Sequence, residues 1–112
     1  MMGKWKWDAK AGDDEALVFT FQDNSFDSAR SWKAQVRRYA GLTDTPEAEC
    51  GIAASASALG KQMVAVSLSA AQTRALRTSG IKRAAWDLQL VEGGLTTTVL
   101  GGVFDLDPDV TR

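Results

Sequence analysis

Between Ile81 and Leu106 two alternating runs flank the turn Glu92-Gly93-Gly94. In the first, Trp86, Leu88 and Leu90 fall on one side, and Asp87 and Gln89 on the other. A period of two is the mark of a strand with one apolar face. Paired glycines take positive φ without steric penalty, so the chain can reverse tightly there. The returning run, Leu95 to Leu106, carries Thr96-Thr97-Thr98 and brings Phe104 and Leu106 to the same core. Gly101-Gly102 marks an expected bulge. A hairpin with one apolar face needs a covering layer.

The rest of the chain supplies it. Trp5 and Trp7 alternate with Lys4, Lys6 and Asp8 in a short strand. Ala11-Gly12-Asp13-Asp14 reads as a turn. Ala16 to Phe21 is rich in strand formers and points Leu17, Phe19 and Phe21 inward. Gln22 to Ser25 is turn chemistry, and Phe26 is expected to plug the loop after it. Trp32 to Tyr39 puts Trp32, Ala34 and Val36 on one face, and Lys33, Gln35 and Arg37 on the other. That is the pattern of a half-solvated antiparallel strand. A helix over Asp27 to Tyr39 is the rival, because Ala29 and Trp32 also suit helical spacing; the alternation favours the strand.

Gly41 to Glu49 is a polar loop around Pro46. Ile52 to Ala58 makes a thin strand suited to a sheet edge. Leu59-Gly60-Lys61 is a tight connection, and Gln62 to Leu68 is a strong strand with Val64, Val66 and Leu68 inward. Ser69 followed by Gln72 is a capping box opening one or two helical turns that stop near Ser79-Gly80. Asp107-Pro108-Asp109 ends the last strand. The expected architecture is all-β: one antiparallel sandwich over residues 1–112, with about six or seven strands and one short helical turn.

Composition narrows the function. The 112 residues include 13 basic and 14 acidic ones, for a formal net charge of -1. Such a balance argues against binding nucleic acid by phosphate neutralisation, and low net charge is compatible with self-assembly. Cys50 is the sole cysteine and histidine is absent. A disulfide scaffold is therefore excluded, and a structural zinc site has almost no ligands. No apolar run is long enough to span a bilayer. The first residues lack the apolar stretch of a signal peptide.

No constellation points to catalysis, a cofactor or a metal. Asp13-Asp14-Glu15 reads as a solvated turn with edge-protecting charge. Asp105, Asp107 and Asp109 alternate without the glycine and closing glutamate of a calcium loop. Serine is plentiful, but no imidazole can activate it. Ser31 and Lys33 share a face that is expected to be exposed. Cys50 has no base nearby. Gly93-Gly94 and Gly101-Gly102 do not precede a helix, so they cradle no phosphate. A small-molecule ligand is not expected. Trp5, Trp7, Trp32, Arg37 and Tyr39 mix aromatic and basic character. They form a candidate interface, either docking on protein or binding carbohydrate or a host surface.

The order Val66 to Leu76, then Ala85-Trp86-Asp87-Leu88-Gln89-Leu90, a Gly-rich hairpin, Gly101-Gly102-Val103-Phe104 and Asp109-Val110-Thr111-Arg112 has a counterpart. It resembles small immunoglobulin-like sandwich proteins of the structural modules of tailed phages and prophages. The resemblance implies a non-enzymatic component of tail, baseplate or neck. It further implies contacts with other phage structural proteins and copies of itself, and no nucleic-acid or membrane partner. The implied location is the host bacterial cytoplasm during assembly, and then the virion. The Gly41 to Gly51 loop matches no part of it.

Overall fold

The computed structural model describes residues 3–38 and 46–107. Tyr39, most of the Gly41 to Glu49 loop and Asp109 lie outside the described residues. Among the described residues nine strands and one helix follow in order: β1 (Gly3–Lys4), β2 (Trp7–Lys10), β3 (Glu15–Ser25), β4 (Ser31–Arg37), β5 (Ala48–Glu49), β6 (Gly51–Ala56), β7 (Lys61–Leu68), α1 (Ala70–Thr78), β8 (Arg83–Glu92) and β9 (Leu95–Asp107). Over residues 27–38 the rival helix does not form.

The strands make two sheets. The larger runs β1-β9-β8-β4-β5, with β2 also alongside β9; the smaller runs β3-β7-β6. β1 and β2 lie parallel to β9, and the other pairs are antiparallel. Placing β3-β7-β6 against β9-β8-β4, with β5 extending the larger sheet, gives the strand order of an immunoglobulin-like sandwich. The chain is an all-β sandwich, as the alternation predicts.

The core lies between the sheets. Val64, Val66 and Leu68 of β7 face Val36, Trp86, Leu88, Phe104 and Leu106 of the larger sheet, all buried. Antibody domains join their sheets with a disulfide. Here β3 and β8 meet through a stack of Phe19 on Trp86, 5.8 Å between ring centres. Trp7 sets its edge against both Trp86 and Phe104. Such aromatic pairs add about 0.5–1.5 kcal/mol each beyond their buried area.

The helix follows its sequence signal and exceeds it. Ser69 Oγ accepts from Gln72 N–H, and Gln72 Oε1 accepts from Ser69 N–H, closing the capping box. The helix runs nine residues rather than one or two turns. Its buried Thr73 hydroxyl accepts from Gly12 N–H at 3.0 Å and lies 2.9 Å from Asp13 O, which ties α1 to the turn before β3.

Three expectations are corrected. The bulge in β9 sits at Val99, between Leu100 opposite Leu88 and Thr98 opposite Gln89. It turns Val99 and Leu100 both toward the core. Gly101 and Gly102 pair regularly, and Gly102 serves close approach instead. A Cβ there would meet the Trp5 carbonyl group, with the carbon at 2.9 Å. Phe26 is exposed rather than plugging its loop. Gln35 faces away from the core yet is only 2% exposed, because Glu49 and Arg37 close over it with hydrogen bonds.

Candidate functional site

The aromatic and basic residues singled out above occupy different places. Trp7 is 1% exposed and belongs to the core. Trp32 is half-buried and stacks on Phe21 at 5.5 Å. Trp5 is 52% exposed at the step between β1 and β2, its ring edge-on to Phe19 at 5.7 Å. Its backbone is clamped, since its N–H donates to Gly101 O and its carbonyl accepts from the Trp86 indole N–H at 2.8 Å. Arg37 points to the other side of the larger sheet and donates to Gln35. These four side chains share no single face. Trp5 and Trp7 have equal parity, but the ladder is interrupted between β1 and β2, which leaves Trp5 at the open margin.

The outer face of the larger sheet holds a polar cluster. Gln35 Nε2 donates to Glu49 Oε1 at 3.2 Å, and Asp87 sits opposite Gln35 on β8. Partial burial holds the Asp87 carboxyl above the usual carboxylate range, against the opposing pull of Arg37 and Lys33. Burial, reinforced by the carboxylates of Asp87 and Glu49, pushes the Cys50 thiol up to about 12. A thiol so protonated is a poor nucleophile. At the opposite margin Lys6 bridges Asp8 and Asp105, and Arg83 pairs with Asp105. The hydrogen bond to Asp105 and then the Asp8 charge raise the Lys6 ammonium above its ordinary value.

The Asp13–Glu15 cluster is spent on structure. Asp14 Oδ1 accepts from Ala70 N–H at 2.6 Å beside the helix N-terminus, and Glu15 Oε2 accepts from Lys10 N–H. Among the described residues no group of acidic or thiol side chains is arranged to hold a metal. Ser31 and Lys33 are both exposed. A depression of about 160 Å³ lies between α1 and β5, lined by Glu47, Ala48, Gln72, Ala75, Leu76 and Ser79. It falls below the roughly 300–1,000 Å³ of ordinary ligand pockets.

The smaller sheet presents a different surface. Beyond Lys61, the outward charge at the start of β7, its outward residues form three cross-strand rows: Ala16, Ser67 and Gly51; Val18, Ala65 and Ala53; Thr20, Met63 and Ser55. None of them is charged. Val18, in the middle row, is 58% exposed. Alternation alone marks these positions only as outward. The missing charge becomes visible once register aligns the three strands.

No family model matches the chain, and neither does any curated protein sequence. Among solved structures, the chain is similar to the extracellular fragment of novel immune-type receptor 11 from Ictalurus punctatus, including its stalk region. The identity is 12% and the TM-score 0.42, covering 100% of this chain and 88% of that one. The immunoglobulin-like assignment rests on the strand pairing described above.

Proposed function

We propose that the chain is a non-enzymatic structural or assembly module of a tailed-phage virion, making protein–protein contacts in the tail, baseplate or neck. Its partners are other phage structural proteins and copies of itself. It is made in the host cytoplasm and carried into the particle. The uncharged three-row patch on the outer face of β3-β7-β6 carries this reading. Exposed protein surface normally intersperses charges, and an uncharged patch of small and apolar side chains suits docking on protein. The sequence resemblance supplies the phage setting.

A carbohydrate or host-surface module would present its aromatics together. Trp7 is buried and Trp32 is stacked inside, so this rival has less to stand on.

The test is mass spectrometry of purified particles, paired with capture of virion proteins by the full chain. The chain is expected in the particle, and Val18→Lys is expected to abolish capture while leaving the circular dichroism spectrum unchanged. Absence from particles, with no virion protein captured, overturns the proposal.

A further inference from the structure

Among the described residues, β6 pairs with β7 alone and forms the outer strand of the smaller sheet. A strand residue sends its N–H and C=O to the same side, and the sides alternate along the chain. Ser57 N–H donates to Lys61 O at 2.8 Å. The pairing from Ala56 opposite Gln62 to Gly51 opposite Ser67 continues that register without a break. Ser55 and Ala53 therefore bond toward β7, whereas Ile52, Ala54 and Ala56 direct theirs out of the sheet.

Outer strands are usually guarded by a charge, a proline or a bulge. β6 reads Gly-Ile-Ala-Ala-Ser-Ala and has none of these. The opposite outer strand, β3, is guarded: it bulges between Phe21 and Ser25, carries Asp23 at the break, and begins with Glu15 bonded to Lys10. Ala54 and Ala56 share the face on which their β7 neighbours Val64 and Gln62 are buried, yet both are exposed.

We infer that β6 pairs antiparallel with β6 of a second copy of this chain. A two-fold axis normal to the sheet keeps both faces continuous. Centred on Ala54, it sets Ala54 against its own copy and Ile52 against Ala56, with the spare backbone groups facing each other. The two smaller sheets become one of six strands. Charge favours a second copy as the occupant. A two-fold sets β6 against β6, so a charge repeated along the edge would face like charge, and β6 carries no charge in a chain of net -1. The inference rests on the protein-contact reading above and names the partner for one edge of it. A six-residue strand buries less than the roughly 800 Å² per partner of a standard interface, so pairing is concentration-dependent.

Sedimentation velocity on the full chain, from micromolar to millimolar, tests it. The mass is expected to rise from monomer to dimer. Hydrogen exchange is expected to slow with concentration at Ile52, Ala54 and Ala56, while Ala53 and Ser55 are protected throughout. Ala54→Pro removes an N–H that the β6–β7 ladder does not use, so the fold is kept and the dimer is lost. Ala54→Lys keeps the N–H and adds like charge at the axis, giving a loss that added salt relieves. A monomer at every concentration, or a dimer indifferent to both variants, overturns the inference. A monomer that still enters particles removes the edge pairing and spares the virion reading; a β6-dependent dimer missing from particles does the reverse.

Discussion

Single side chains here act mainly through what surrounds them. Asp87 is held against its Coulombic neighbours: burial raises its proton affinity, Arg37 and Lys33 lower it, and its Oδ1 has no hydrogen-bond partner among the described residues. The folded carboxyl titrates above the unfolded one. Between those two values the native state binds the extra proton, so stability falls as pH rises through the window. Asp87→Asn removes the ionisation. It is expected to raise the melting temperature at pH 7 and to leave it nearly unchanged below the ordinary carboxylate range, where both forms are neutral. Melting curves across pH check this. Neighbours also explain why Gln35 reads as a solvated outward residue in sequence and is buried in the fold. Its cover comes from Glu49, across a sheet register that no local spacing encodes, and from Arg37, two residues on.

At the scale of elements, the strands were legible wherever alternation ran four residues or more. Val64, Val66 and Leu68, or Trp86, Leu88 and Leu90, state their faces outright. The capping box likewise announced the start of α1. The helix outlasted its expected length because Leu76 and Thr73 dock on the body of the protein, a tertiary gain invisible in a nine-residue window. The glycines were legible as special but not in purpose. Gly102 reads as a bulge, yet it is the seat of a strand about a hundred residues earlier in the chain. Gly102→Ala is expected to push the Trp5 backbone off β9, at roughly 1–3 kcal/mol for the overpacking. Hydrogen exchange should then quicken from Lys4 through Lys10 while β6 and β7 keep their protection. Equal loosening of both sheets would count against this local account.

For the whole molecule, two layers follow from the sequence because seven runs of apolar alternation cannot be satisfied by one sheet. Which strands join which layer does not follow. That depends on the Phe19–Trp86 stack standing where antibody domains place a disulfide, and on β5 and β6 dividing one stretch of chain between two sheets at Cys50, whose N–H donates to Ala34 O. The candidate surface was less legible still. The sequence drew attention to tryptophans, which the fold largely consumes, and away from alanines and serines, which it leaves outside.

The parallel seat of β1 and β2 on β9 has a mechanical consequence. Gly3 lies opposite Leu100 and Lys10 opposite Asp107, so the incoming and outgoing strands run the same way. Tension applied from both sides of the domain therefore drags these strands lengthwise past each other. Their hydrogen bonds are loaded together and cannot open one at a time like a zip. A single abrupt rupture is expected in force spectroscopy, and Gly102→Ala should lower its force. A domain resisting in this way would hold its shape while transmitting a pull from one end to the other.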